Sequence, residues 1–323
     1  MKKYILLTFS ILIIFTVVFK MYNNNNQDKD FLKCDLSVYR FEKDFFSINK
    51  DSFEIKFPLI KNKYPEFFLD NSIDFKNDVF LDDTLVAVLD SVNLVFGDVL
   101  PEIETIKNGF CNYQHYFPGE TLSVYTFIDK SFDYRTPVVF SDSKLFVSLH
   151  LFLGSDHSFY SFLPDYIKYS HDVTFLPASC FITLAGKHIP YPDVSNFLET
   201  MLYYSKAYVF AQKMLPETPH YKLFKCSEEK IEWCYNNESS IWNYMIERDY
   251  LFSSSLDLID NFISLAPFSQ FGLPTDRDSP GGVGLWLGMQ IWDSYMENNS
   301  ISLLEVLNET DYMKVLNNSG YKP

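Results

Sequence analysis

The spacing of apolar residues changes twice along this chain, and this change constrains the fold more than any single motif does. From residue 35 to 110 apolar residues recur three or four positions apart, which is typical of helices. Between 120 and 153, β-branched and aromatic residues form three short runs bounded by turn formers, which predicts three antiparallel strands. Helical spacing returns from 195 onward. The pattern predicts an α+β fold, a mostly helical single domain around a small antiparallel sheet.

The strands are predicted at 121–128, 137–140 and 144–153, with a hairpin turn at 140–144. The later helices are predicted at 195–214, 227–235, 238–252, 256–264, 281–298 and 301–308.

The N-terminus indicates export. Lys2 and Lys3 precede an apolar run from Tyr4 to Phe19, a pattern typical of a signal or membrane anchor. Small residues for cleavage are missing at the end of the run, which favours an uncleaved anchor over a cleaved signal. We therefore predict an anchor at 1–20, a flexible tether at 21–34 and an extracytoplasmic domain at 35–323, so that the protein lies in the cell envelope.

Charge and cysteine content narrow the function classes. The net charge of −15 argues against nucleic-acid binding, which depends on Lys and Arg at the phosphates. Five cysteines with no CxxC spacing predict at most one disulfide. Cys226 and Cys234 are close enough in sequence to pair, but spacing alone does not settle the connectivity.

No motif of a known catalytic or metal site is present. None of the six histidines lies four residues from another, so the sequence has no HExxH zinc site. His150, Asp156 and His157 lie near each other in sequence, but local hydrogen bonding is the favoured role for scattered histidines. The sequence therefore predicts no cofactor.

The most informative local pattern is the helix predicted from 281. Ser279 and Pro280 are its expected N-cap and first residue. Gly284 and Gly288 lie four apart, which implies close approach of another backbone, because glycine destabilises a helix interior. A tightly packed core helix is favoured over a ligand groove for this segment, which also carries Trp286 and Gln290.

Acidic residues flank this helix in two places. Asp276 and Asp278 lie just before its start, where the helix dipole stabilises carboxylates. Glu238 lies near Trp242 on a predicted helical hairpin. A carboxylate beside aromatic residues suits acid/base chemistry, but a solvated helix face is the favoured interpretation.

Several segments occur in a characteristic order that resembles a known family. They are Arg40–Phe46, Tyr64–Phe68, Leu153–Tyr160, Tyr203–Lys206, Asn237–Trp242, Ala266–Ser269, Asp278–Ile291 and Tyr321–Pro323. Together they resemble the gliding motility-associated lipoprotein GldB family from about residue 34 to the end. The resemblance implies a periplasm-facing envelope protein, required for gliding beside the type IX secretion machinery, without established catalytic activity.

The resemblance also implies a distant similarity to zinc-peptidase-like proteins, in which an HExxH helix precedes the equivalent of Tyr203–Lys206. Here Glu199–Tyr203 lacks both histidines, so such a fold would be retained without the metal site. Two further departures from the family concern the lipidation site and the pair Ser205 and Gly282. Lys33 precedes Cys34 where a small residue is expected, which argues against lipidation of Cys34. Ser205 and Gly282 stand where the family commonly has Gly and Arg.

The favoured hypothesis is a membrane-tethered binding or assembly protein whose partners are other gliding-motility envelope proteins. Its predicted partner-binding residues are Asp276, Asp278, Ser279, Gly284, Trp286, Gly288, Gln290, Glu238 and Trp242. The alternative is a metallopeptidase-like hydrolase with a noncanonical site drawn from His150, Asp156, His157 and Glu199. A cell-wall glycan binder is a third interpretation, based on aromatic content alone.

Overall fold

A small mixed sheet is flanked in the chain by helical segments. The structure, a computed structural model, describes Cys34 and residues 36–68, 82–98, 100–191 and 193–323. The strands among these residues are β1 (Ser37–Arg40), β2 (Ser123–Phe127), β3 (Val138–Ser141) and β4 (Lys144–Ser148). Residues 36–323 form one domain of the predicted α+β class. The predicted anchor and tether lie outside the described residues, apart from Cys34.

The α-helices of the described part of the chain are numbered in order. They are α1 (Phe41–Phe46), α2 (Phe53–Lys63), α3 (Asp83–Phe96), α4 (Ile103–Tyr116), α5 (Asp165–Tyr169), α6 (Leu176–Ala185), α7 (Phe197–Met214), α8 (His220–Leu223), α9 (Glu228–Asn236), α10 (Glu238–Glu247), α11 (Asp257–Phe262), α12 (Val283–Asn299), α13 (Leu303–Asn308) and α14 (Tyr312–Ser319). All six helices predicted after residue 195 are present. The helix predicted at 238–252 ends early, at Glu247.

The predicted hairpin is confirmed, but the predicted all-antiparallel sheet is wrong. Strands β3 and β4 pair antiparallel through a two-residue loop, Asp142 and Ser143, in which both residues have positive φ, as a type I′ turn requires. The strand order is β1-β2-β4-β3, and both β1–β2 and β2–β4 are parallel. The hairpin therefore places its more buried strand beside β2 and leaves β3 at the edge, where Val139 is exposed.

Strand β1 lies in a segment that was predicted to be helical, and an aromatic cluster follows it. Phe41 of α1 stacks on Phe67 at 4.1 Å between ring centroids and meets Tyr64 edge-on at 5.2 Å. The Tyr64 hydroxyl donates to the Asp44 carboxylate at 2.5 Å. These contacts unite two segments of the family resemblance, Arg40–Phe46 and Tyr64–Phe68. Large aromatic side chains contribute much of the burial in such clusters.

The centre of the C-terminal part is the pair of helices α7 and α12. The Trp292 indole N–H of α12 donates to the Leu202 carbonyl of α7 at 2.9 Å. Helix α14 packs on the other side of α12, where the Ser294 hydroxyl donates to the Ser319 carbonyl at 2.7 Å. Helix α12 is thus covered on more than one side and forms part of the core.

Candidate functional site

The loop before α12 is organised by Ser269, which the sequence analysis did not single out. The predicted N-cap, Ser279, is wrong: α12 starts at Val283, and its N-cap is Gly282, whose φ is +71°. The Ser269 hydroxyl accepts from the Val283 N–H at 3.0 Å and donates to the Pro280 carbonyl at 2.9 Å. Ser279 is fully buried, and its hydroxyl donates to the Asp276 carbonyl at 2.6 Å. Ser269, 14 residues before Val283 in the same loop, therefore takes the capping role that was predicted for Ser279.

Helix α12 uses its two glycines for close packing, as predicted. A Cβ atom on Gly284 would lie 2.8 Å from the Phe262 carbonyl oxygen, at the end of α11. A Cβ atom on Gly288 would lie 2.5 Å from the Ser205 hydroxyl oxygen of α7. Trp286 between them is fully buried. These three residues belong to the core of this conformation, and any partner would meet the exposed residues around them.

The two aspartates before α12 have different surroundings. The Asp276 carboxylate accepts from the backbone N–H groups of Gly272 and Leu273, at 2.9 and 3.1 Å, and so holds the loop together. Asp278 is exposed. Of this pair, Asp278 is therefore the residue that a partner can contact directly.

Glu238 and Gln290, both predicted as site residues, line the same cleft. This polar cleft, of about 580 Å³, is bounded by α7, α10, α12 and the C-terminal segment. Its lining residues are Gln212, Lys213, Glu238, Gln290, Asp293, Ser294, Glu297, Gly320, Tyr321, Lys322 and Pro323. The Tyr321 hydroxyl donates to the Glu238 carboxylate at 2.6 Å, and the Trp242 ring meets the Tyr321 ring edge-on at 5.2 Å. Tyr321 therefore connects two sequence segments of the resemblance at one wall.

The cleft also contains buried amide atoms without hydrogen-bond partners. Among the described residues, neither Nε2 of Gln290 nor Oε1 of Gln212 has a partner. The other amide atom of Gln212 lies 2.7 Å from Nε2 of His220, whose Nδ1 lies 2.5 Å from the Tyr235 hydroxyl. An unpartnered buried polar group costs free energy, so a ligand that pairs with these amides is favoured.

Asp293 adds a carboxyl with unusual acidity. Burial, against the opposing effect of Lys213 and with a smaller contribution from Glu297, raises the pKa of Asp293 to about 6. Asp293 is therefore partly protonated just below neutral pH, when it can donate a hydrogen bond as well as accept one. Sequence reasoning missed Asp293 and Gln212. They line one cleft only because α7 and α12 pack together, and no local sequence pattern at either residue indicates that contact.

The residues proposed for a hydrolase make mainly local contacts. His150 is buried with its Nε2 3.4 Å from an Asp129 carboxylate oxygen, and His157 accepts from the Phe159 N–H at 3.3 Å. Asp156 is exposed. Glu199 accepts from the Ser195 N–H at 2.7 Å and its hydroxyl at 2.9 Å, which stabilises the start of α7. Within the described ranges, no three His, Cys, Asp or Glu residues are grouped closely enough to hold a metal ion.

The cysteines fall into two chemical states. Cys34 and Cys111 are disulfide-bonded. Cys226 and Cys234 are free, buried thiols, so the suggested pairing between them is wrong. A lipid thioether on Cys34 would require the sulfur that its disulfide uses.

A comparison with known families supports the resemblance that the sequence segments carry. A family model described as gliding motility protein GldB matches residues 22–323. The chain belongs to the GldB family. The family is one of gliding motility-related lipoproteins, and membership implies a membrane-anchored place in the cell envelope. No curated protein and no solved structure matches the chain, and the similarity to zinc-peptidase-like proteins gains no support.

The membrane anchor itself falls on residues that are not described. Across the described residues, none of the helices has the length and apolar character needed to cross a bilayer. The apolar run from Tyr4 to Phe19 lies outside the described residues.

Proposed function

We propose that this GldB-family chain is a membrane-anchored envelope component required for gliding, acting as a binding and assembly protein of the motility and type IX secretion machinery. Family membership supports the link to gliding. In this role the chain performs no catalytic step and uses no cofactor. Its partners are other envelope proteins of the same apparatus.

The polar cleft supports a binding role more than any other feature. It combines carboxylates, lysines and two amides, Gln212 and Gln290, each with an unpartnered buried atom. A polar peptide segment supplies backbone N–H and C=O groups that pair with such amides. Interfaces commonly combine a wet polar region with aromatic residues. Here Tyr321 lines the cleft, and the buried Trp242 packs against its ring from behind. We infer that a partner protein inserts a polar segment into this cleft.

The test is a Gln290→Ala variant in a gliding bacterium that lacks its own family member and regains spreading with the wild-type chain. Gln290 Nε2 makes no hydrogen bond among the described residues, so its removal leaves the internal hydrogen bonds of the domain intact. We expect spreading to fall strongly while the melting temperature stays within a few degrees of wild type. Gln270→Ala is the matched control, because Gln270 is an exposed glutamine away from the cleft.

Crosslinking completes this test. A photoreactive residue at Glu297, which lines the cleft, is expected to crosslink an envelope protein in wild-type cells and to lose that product in the Gln290→Ala background. Normal spreading and unchanged crosslinking in Gln290→Ala would contradict the role of the cleft. Equal loss of spreading in Gln270→Ala would show a general surface effect instead.

A further inference from the structure

A second cavity, of about 260 Å³, lies beside α8 and α9 and shares no lining residue with the polar cleft. Tyr169, Phe224 and Leu265 give it mainly apolar walls, and Lys225 and Lys230 are its two lysines. The backbone of Gly281 also lines it, where a Cβ atom would lie 2.1 Å from the Ala266 carbonyl oxygen. The wall at Gly281 is therefore formed by closely packed backbone.

Lys225 occupies a backbone position at which glycine is the usual residue. Helix α8 ends at Leu223, Phe224 is its C-cap, and Lys225 follows with φ +51°. The Cys226 N–H donates back to the Tyr221 carbonyl at 3.0 Å, as in a Schellman motif. A lysine in the left-handed region carries strain, and such strain is concentrated at functional positions.

The two lysines differ in what their amines contact. The Lys230 amine donates to the carbonyls of Pro267 and Ser279, at 2.6 and 2.8 Å. The Lys225 amine has no hydrogen bond and no ion pair within the described part of the chain. Burial lowers the pKa of Lys225 to about 8, so the amine is still mostly protonated at pH 7. The one acidic residue in the lining, Asp165, pairs with Lys168 at 3.0 Å. Among the described residues, the half-buried Lys225 therefore contributes a cation to this cavity without an ion-pair partner.

We propose that this cavity binds a carboxylate attached to an apolar group, with the carboxylate at Lys225 and the apolar group against Tyr169, Phe224 and Leu265. A monoanionic carboxylate matches the single available ammonium group. A phosphate dianion would need further donors, and the Lys230 amine is already engaged by two carbonyls. A cavity of roughly 150 Å³ holds a benzene ring, so this one has room for a ring and a carboxylate together.

The carboxylate can come from a free acid or from the C-terminus of a peptide that ends in an apolar residue. Calorimetric titration of the full chain in detergent at pH 7 distinguishes these sources. The probes are 3-phenylpropionate with its neutral primary amide, and a tripeptide ending in phenylalanine with its C-terminal amide. We expect at least one acid to bind about tenfold or more tightly than its amide, because hydrogen bonds to charged groups are the stronger ones. Preference for the tripeptide acid identifies a peptide, and preference for 3-phenylpropionate identifies a free acid.

Lys225→Gly tests the role of the amine without disturbing the backbone, since glycine readily adopts positive φ. We expect this variant to fold and to lose the difference between acid and amide. Lys225→Asn is a second variant that tolerates the same backbone conformation. Lys222→Gln, one turn earlier, removes the same charge and is expected to keep wild-type binding. Equal affinity for acid and amide, no binding of any probe, or unchanged preference in both Lys225 variants would overturn the proposal.

Discussion

The hydroxyl oxygen of Ser205 lies 2.5 Å from the position that a Cβ atom on Gly288 would occupy. Ser205 is fully buried in α7, and its hydroxyl donates to the Leu202 carbonyl at 3.1 Å. The Met201 carbonyl oxygen is 3.0 Å from the same position. The contact between the two central helices therefore depends on the absence of a side chain at Gly288.

Gly288→Ala is expected to destabilise the domain by about 1–3 kcal/mol, because overpacking in a rigid core outweighs the better helix propensity of alanine. Ser205→Gly removes the nearest clashing atoms and leaves only the Met201 carbonyl close. The double variant should therefore lose less stability than the two single variants added together, by about 0.5–3 kcal/mol. Urea denaturation of the four proteins measures this coupling, and strict additivity would contradict the packing argument.

Sequence spacing predicted this helix contact because two glycines in one helix face are a local and costly pattern. The sheet was harder to predict. The Asp142–Ser143 turn was visible locally, but the parallel pairing of β2 with β4 depends on which hairpin strand is more buried. Strand β1 was missed because its four residues lie directly before α1, and its partner β2 is more than 80 residues away in sequence.

The candidate site, like the sheet, could be predicted only where a local sequence pattern marked its residues. Glu238 and Gln290 were identified through the motifs that contain them, and both line the polar cleft. Trp286 and Ser279 came from the same motifs but are buried, since a motif does not distinguish packing residues from exposed ones. Asp293 gained its role from burial between helices, which no local pattern reports.

Lys206 is expected to stabilise the end of α13. Its buried amine donates to the carbonyls of Leu307 and Glu309, at 3.1 and 2.5 Å, which are otherwise left open at a helix C-terminus. Lys206→Met should cost about 1–3 kcal/mol, because it leaves buried carbonyls unpaired. Lys107→Met, which removes only an exposed ion pair to Glu104, should cost less than about 1 kcal/mol. Equal unfolding free energies for the two variants would contradict this role.

Asp293 is expected to make stability depend on pH in the acidic range. Its pKa is raised by burial from 3.8 to about 6, so between these values the folded state binds more protons than the unfolded state. The stability contributed by the neutral carboxyl is fully present below pH 3.8 and is lost as pH rises through 6. Asp293→Asn should therefore be more stable than wild type at pH 7, with a gain that shrinks towards pH 4. Denaturation at both pH values checks this, and a gain independent of pH would contradict it.

Glu42 is expected to be the most sensitive polar position beside the sheet. Its fully buried carboxylate accepts from Nε of Arg40 at 2.5 Å and from the Thr126 hydroxyl of β2 at 2.7 Å. Glu42→Ala leaves the Arg40 charge without its partner and should cost about 3–5 kcal/mol. Thr126→Val removes one hydrogen bond to a charged group and should cost about 1.5–3 kcal/mol.

The Arg40→Met/Glu42→Met double variant distinguishes the net stability that this ion pair contributes from the destabilisation caused by removing only one of its partners. Apolar replacement of both buried charges removes the unpaired charge that either single change creates, so the double variant should be more stable than Glu42→Ala. Urea denaturation of the wild type, Glu42→Ala and the double variant measures their free energies of unfolding. If the double variant is the least stable of them, the Arg40–Glu42 pair itself stabilises the start of α1. The stability lost in Glu42→Ala would then not come from leaving the Arg40 charge unpaired.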